Sequence, residues 1–81
     1  MTNIVIAGFA RSPFTQAGKG ALARVRPDDL TAQVIRGLID RTGVDASEIE
    51  DIILGCAFPE GEQGMNVARL IGLLADLPLS V

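Results

Sequence analysis

The middle of the chain, residues 27–55, reads PDDLTAQVIRGLIDRTGVDASEIEDIILG and contains a helical pattern followed by an apolar run. Its first apolar residues recur at helical spacing and form one stripe: Leu30, Val34, Ile35, Leu38 and Ile39. Pro27 and the two aspartates after it suit a first turn, because proline lacks an amide hydrogen and carboxylates favour the positive end of the helix dipole. Gly43 suits the left-handed residue that ends a helix. The pattern predicts a helix over residues 28–42.

Two short apolar runs flank this helix, at residues 4–7 and 51–55. The first is uninterrupted, which is typical of a strand buried on both faces of a parallel sheet, and the second has the same character after Asp51. Ser47 and Glu50 have the spacing of a capping box, which predicts a single helical turn before the second strand. Strand, helix and strand make a βαβ unit with parallel strands and a right-handed crossover.

A second helix is predicted to begin near Asn66 and to end by Pro78, and residues 77–81 are interpreted as the opening of a third strand. Its apolar residues have the spacing i, i+3, i+4, i+7: Val67, Leu70, Ile71 and Leu74. Two strands and two helices leave sheet faces and edges uncovered. We therefore expect residues 1–81 to be the first part of an N-terminal α/β domain that continues after Val81.

The composition excludes several classes of function. The 81 residues carry a net charge of −3, are 48% hydrophobic, and include three Phe but no Trp or Tyr. A folded domain is expected, without the positive charge or stacking residues that bind nucleic acid. No apolar run approaches the roughly 20 residues that span a bilayer, and no basic leader precedes the first apolar run. We expect a cytoplasmic protein without a membrane span.

Few residues are suited to chemistry. Cys56 is the single cysteine, and the chain has no histidine to activate it, so Cys56 is interpreted as a small buried apolar residue. The glycines around Gly8 and Gly61 match no phosphate-binding fingerprint. Without histidine and a second cysteine, no metal site is expected.

Two arginines are predicted to be structural or to lie at an interface. Arg69 falls in the first turn of the second helix, where the dipole disfavours a cation unless something holds it. Arg11 opens a loop, residues 11–26, that holds four of the seven basic residues. A solvated loop is the favoured interpretation, and the alternative is a contact with an anion or with another subunit.

The most specific stretch is residues 55–69, GCAFPEGEQGMNVAR. Over residues 3–81 the chain resembles the N-terminal part of a thiolase, and it is more similar to degradative 3-ketoacyl-CoA thiolases than to biosynthetic acetoacetyl-CoA enzymes. The other matching pieces are IVIAGFARSPF (4–14), GKG (18–20), RPDDL (26–30) and EIEDIILG (48–55).

The resemblance implies a layered, mostly parallel α/β fold of two duplicated five-stranded halves, assembled as homodimers or homotetramers. It also implies acyl transfer to CoA in fatty acid β-oxidation, by thiolytic cleavage of a 3-ketoacyl-CoA or the reverse Claisen condensation. CoA is then a substrate, and no cofactor is expected. The catalytic cysteine, histidine and second cysteine of such enzymes correspond to positions beyond residue 81, so the chain alone is expected to be inactive. Cys56 corresponds to neither catalytic cysteine.

The resemblance places Met65 and Asn66 near the active site. Many members of the family have glutamine where this chain has Met65, close to the nucleophile loop, so the neighbourhood here is more apolar. Two alternatives stay open. The chain is a free-standing α/β module that binds an anion or a protein, or it belongs to a non-catalytic thiolase-like protein.

Overall fold

The computed structural model describes residues 3–57 and 59–81. Two α-helices organise it, α1 over Pro27–Thr42 and α2 over Val67–Leu74. Both predicted helices are therefore confirmed. Helix α1 begins one residue before the predicted range, and α2 begins one residue after Asn66 but ends at Leu74, four residues before Pro78. Two single turns of 3-10 helix precede the apolar run at 51–55 and α2, respectively: Ala46–Glu48 and Gly61–Gln63.

Local chemistry explains the ends of α1. Pro27 occupies the first turn together with Asp28 and Asp29, as the sequence predicts. At the other end Gly43 adopts φ 72°, and its amide donates to the carbonyl of Ile39 at 2.9 Å. This left-handed conformation costs a residue with a Cβ about 1–2 kcal/mol, so glycine stops the helix at low cost.

The core lies where α1 packs against α2. Ile71 is its centre, with 1% of its surface exposed. The buried apolar residues come from both helices and from the segment after α2: Ala32, Val67, Ile71, Ala75 and Leu77. Ile35 and Ile39 of α1, with Ile52 and Leu54 of the apolar run, pack partly buried around them. The two helices thus share one small core.

The turn at Ala46–Glu48 corrects one prediction. Asp45, rather than Ser47, is its N-cap, and Asp45 Oδ1 accepts hydrogen bonds from the Ser47 amide at 2.9 Å and hydroxyl at 2.8 Å. These hydrogen bonds lower the pKa of the Asp45 carboxyl. The capping box at Ser47 and Glu50 is wrong, because a carboxylate two residues earlier is already placed to accept from the first turn.

The segments predicted as strands, residues 4–7 and 51–55, have no regular secondary structure. In the described part of the chain no residue is paired in a strand. Ile4 and Ile6 are 96% and 91% exposed, while Ile53 is 93% exposed between the half-buried Ile52 and Leu54. The α/β fold consequently stays a prediction.

Residues 78–81 form a turn in which the Val81 amide donates to the Pro78 carbonyl at 3.1 Å, so the interpretation of residues 77–81 as a strand is not what the structure shows.

Neither α1 nor α2 is long and apolar enough to cross a bilayer, and these are the α-helices of the described residues.

Candidate functional site

The bend before α2 has the most unusual backbone of the described residues. Met65 and Asn66 both adopt φ 57°, in the left-handed region. Side chains with a Cβ seldom enter this region, and methionine lacks the local hydrogen bonding by which asparagine tolerates it. Consecutive residues held there indicate a bend that the surrounding structure imposes, and such bends concentrate at functional sites.

The side chains of Met65 and Asn66 at this bend are both exposed. Met65 is 92% exposed. Asn66 is the N-cap of α2, but its backbone is left-handed rather than extended and its side chain makes no capping hydrogen bond. An N-cap side chain normally accepts from an amide of the first turn. Here Asn66 is exposed, and its side-chain amide is available to a ligand or to another segment of protein.

A cleft of about 170 Å³ lies beside Asn66. Its walls come from the apolar run, the first turns of α2 and the last residue: Asp51, Ile52, Asn66, Ala68, Arg69, Gly72 and Val81. Sites for small molecules usually enclose about 300–1,000 Å³. The cleft is therefore large enough for a few waters or for part of a ligand.

Arg69 lies in the first turn of α2, as predicted, and its guanidinium binds backbone carbonyls. Nη1 donates to the carbonyl of Val81 at 2.8 Å, and Nη2 donates to that of Leu79 at 3.4 Å. No carboxylate pairs with Arg69 among the described residues. Two carbonyl oxygens thus hold the guanidinium, which gives Arg69 a structural contact within the chain.

A second arginine, Arg26, connects the bend to α1, and sequence reasoning did not identify it as a site residue. Arg26 donates two hydrogen bonds to the buried carboxylate of Asp28, from Nε to Oδ1 at 3.1 Å and from Nη2 to Oδ2 at 3.0 Å. Its Nη1 also lies 3.8 Å from the Glu62 carboxylate, in the turn before Met65. The hydrogen bonds between the pair raise the pKa of Arg26 and lower the pKa of Asp28. The available sequence signal was the spacing Arg-Pro-Asp, which puts both charges at one helix end.

Cys56 and Arg11 are not brought to the cleft. Cys56 is half-buried and lines a separate cavity of about 70 Å³ beside Asp28 and Val67. Arg11 donates to the Ser12 carbonyl and lies over the Phe14 ring, with its carbon Cζ 5.7 Å from the ring centroid. Its interface role stays a prediction. No group of three His, Cys, Asp or Glu side chains within residues 3–57 and 59–81 is placed to hold a metal ion.

Comparison with known proteins adds a family to this geometry. Residues 4–81 match the family described as thiolase, N-terminal domain. Over all 81 residues the chain is 51% identical to a 3-ketoacyl-CoA thiolase of Bacillus subtilis, and the match covers 21% of that protein. It is 44% and 45% identical to 3-ketoacyl-CoA thiolases of Acinetobacter baumannii and Saccharophagus degradans, covering 98% of this chain and 20% of each relative. The chain spans about a fifth of the length of the curated relatives it matches.

Proposed function

This chain belongs to the thiolase family, and we propose that it acts as the N-terminal segment of a longer acyltransferase. The activity is acyl transfer between a 3-ketoacyl-CoA and CoA. The observation that supports it is the match along essentially the whole chain to proteins named 3-ketoacyl-CoA thiolase, of which it spans about a fifth.

The chemistry explains why the rest of a longer polypeptide is needed. In thiolytic cleavage a cysteine thiolate attacks the 3-keto carbonyl, the bond between C2 and C3 breaks, and the acetyl-CoA enolate takes up a proton. The CoA thiolate then takes the acyl group from the cysteine. A base must generate each thiolate and an acid must protonate the enolate, but this chain has no histidine and only the half-buried Cys56.

The contribution of this chain is one wall of the active site. We assign that wall to Met65 and Asn66, because both are exposed, both are held in the left-handed conformation, and Asn66 borders the cleft. An exposed thioether beside the acyl group favours apolar substrate, while the Asn66 amide is free to hydrogen-bond a polar group.

The proposed fold follows from the same premise. The runs at 4–7 and 51–55 become parallel strands when the remaining strands of an α/β domain pair with them, which covers Ile4, Ile6 and Ile53. The assembly is proposed to be a cytoplasmic homodimer or homotetramer that works in β-oxidation. The degradative direction is supported by relatives named for a 3-ketoacyl-CoA.

A chimera tests the proposed function. The stretch of the Bacillus subtilis relative that this chain matches is replaced by residues 1–81, and CoA-dependent cleavage of a 3-ketoacyl-CoA is followed. The chimera is expected to turn over, whereas the 81-residue chain alone is expected to be inert. A folded chimera without activity, next to an active parent enzyme, would contradict the proposal.

Cys56→Ala in the same chimera separates the nucleophile from a packing residue. Because Cys56 lines a small cavity away from Asn66, we expect kcat to stay within about threefold of the parent chimera. Losing a covalent nucleophile costs about 10⁴-fold or more. A loss of that size in Cys56→Ala would assign the nucleophile to this chain and refute the division of labour proposed above.

A further inference from the structure

Arg69 occupies an unfavourable place for a cation, and its contacts explain why it is there. It is the third residue of α2, in the turn where the helix dipole repels positive charge. Its guanidinium reaches across to the segment after the helix and donates to the carbonyls of Val81 and Leu79 at 2.8 and 3.4 Å. One planar side chain with a fixed fork of donors thus joins the beginning of α2 to residues 79–81.

The segment it holds has few other backbone hydrogen bonds. Leu77 is buried and its amide donates to the Gly72 carbonyl at 3.0 Å, which fixes the start of the segment. Leu79 and Ser80 are exposed. Beyond Leu77 the described backbone contacts are the turn bond from the Val81 amide to Pro78 and the two bonds from Arg69. Val81 also packs partly buried against the core, and Arg69 holds the backbone of the segment through the carbonyls of Leu79 and Val81.

The position of this segment matters because it borders the candidate site. Val81, Arg69 and Asn66 line the same cleft. We propose that Arg69 is a positioning residue, which fixes the backbone at residues 79–81 beside Asn66 so that this wall of the active site has one geometry. This inference rests on the proposed function for its consequence in catalysis, but the placement itself is tested independently of activity.

Lysine is not an equivalent replacement. Its single ammonium donates from one point and lacks the planar fork that spans the carbonyls of two residues. Arg69→Lys therefore keeps the charge while losing the double contact, and Arg69→Gln loses both. Arg36→Gln is the matched control, because Arg36 is exposed on α1 and makes no described hydrogen bond or ion pair.

The experiment measures amide exchange and steady-state kinetics in the chimera. In Arg69→Gln the Val81 amide is expected to exchange about tenfold faster or more, since a charge-assisted hydrogen bond no longer holds the turn. Arg69→Lys should be intermediate, and Arg36→Gln unchanged. We expect kcat to fall about tenfold in Arg69→Gln, with KM for CoA within about threefold, because a misplaced wall affects the reacting geometry more than CoA capture.

Each outcome has a defined meaning. Unchanged exchange at Val81 in Arg69→Gln, or an equal increase in Arg36→Gln, overturns the proposal, and so does a kcat equal to that of Arg36→Gln. If the amides of α1 also lose protection in Arg69→Gln, Arg69→Lys decides: a faster Val81 amide with intact α1 supports the proposal, and an unchanged one overturns it. An inactive parent chimera contradicts the proposed function alone, and exchange at Val81 still decides the role of Arg69.

Discussion

At the scale of single residues, Asp28 shows how a short motif combines two roles. The sequence placed it correctly in the first turn of α1, where its charge favours the helix dipole. It is also the one charged residue of the described part of the chain that is buried, at 5% exposure, and the Arg26 fork satisfies it. Sequence reasoning missed the fork because the pairing depends on the rotamers of both side chains, which no spacing specifies.

The paired state of Asp28 predicts a pH dependence. The hydrogen bonds from Arg26 lower the pKa of Asp28 in the folded protein, while an unfolded aspartate titrates near about 3.9. The stabilisation is therefore complete above the unfolded pKa and is lost as the pH falls through the lower, folded pKa. Asp28→Asn should lower the Tm of the chimera near neutral pH. The Tm of this variant should also fall less steeply than that of the parent as the pH is lowered.

Asp40→Asn serves as the control for this prediction. Asp40 is exposed on α1 and has no ion pair among the described residues. Its variant should keep the acid dependence of the parent. The interpretation of Asp28 fails if both aspartate variants follow the parent curve of Tm against pH.

Met65 gives a second prediction at this scale. A left-handed backbone destabilises a residue that has a side chain by about 1–2 kcal/mol, and glycine avoids this strain. Glycine in turn loses more backbone entropy on folding, which costs about 0.5–1 kcal/mol. Met65→Gly should raise the free energy of local opening at the start of α2 by up to about 1 kcal/mol, as measured by amide exchange. Gln33→Gly, in the interior of α1, should instead lower local stability by about 1 kcal/mol. Equal destabilisation by both variants would show that the bend is not strained.

At the scale of elements, the helices could be predicted because their signals are local. The apolar stripe of α1, Pro27 at its start and Gly43 at its end all lie within one stretch of chain. The left-handed bend before α2 could not, because Gly64 directly precedes it and would have been the expected residue to take up a positive φ. The turn around Ser47 was misassigned for a related reason, since Asp45 and Ser47 can both cap a helix and only the structure shows which does.

The packing of α2 on α1 predicts very different costs for two neighbouring residues. Ile71 is 1% exposed at the centre of the core, and Leu73 is 48% exposed on the same helix. Ile71→Ala should lower the free energy of local opening of α2 by about 2–5 kcal/mol, through lost burial and a residual cavity. Leu73→Ala should cost less than about 1.5 kcal/mol, since much of the side chain is already in water. Similar losses in both would contradict the assigned face of α2.

At the scale of the whole molecule, the apolar runs at 4–7 and 51–55 are the part of the fold that has no regular secondary structure. The radius of gyration is 14.0 Å with a longest extent of 48 Å, against about 12 Å for a compact chain of this length. Strand pairing joins residues that are distant in sequence, so the runs at 4–7 and 51–55 predict strands without predicting which strands lie beside them. Ile4, Ile6 and Ile53 remain exposed, which is what a sheet lacking its other strands would leave.

The central claim is that these runs become strands within a longer thiolase polypeptide. Amide exchange at residues 4–6 and 52–54, compared between the 81-residue chain and the chimera, tests it most directly. We expect rapid exchange in the chain alone and protection of about 100-fold or more in the chimera, because ladder hydrogen bonds in a buried sheet open rarely. Unprotected amides at both runs in a catalytically active chimera would contradict the account.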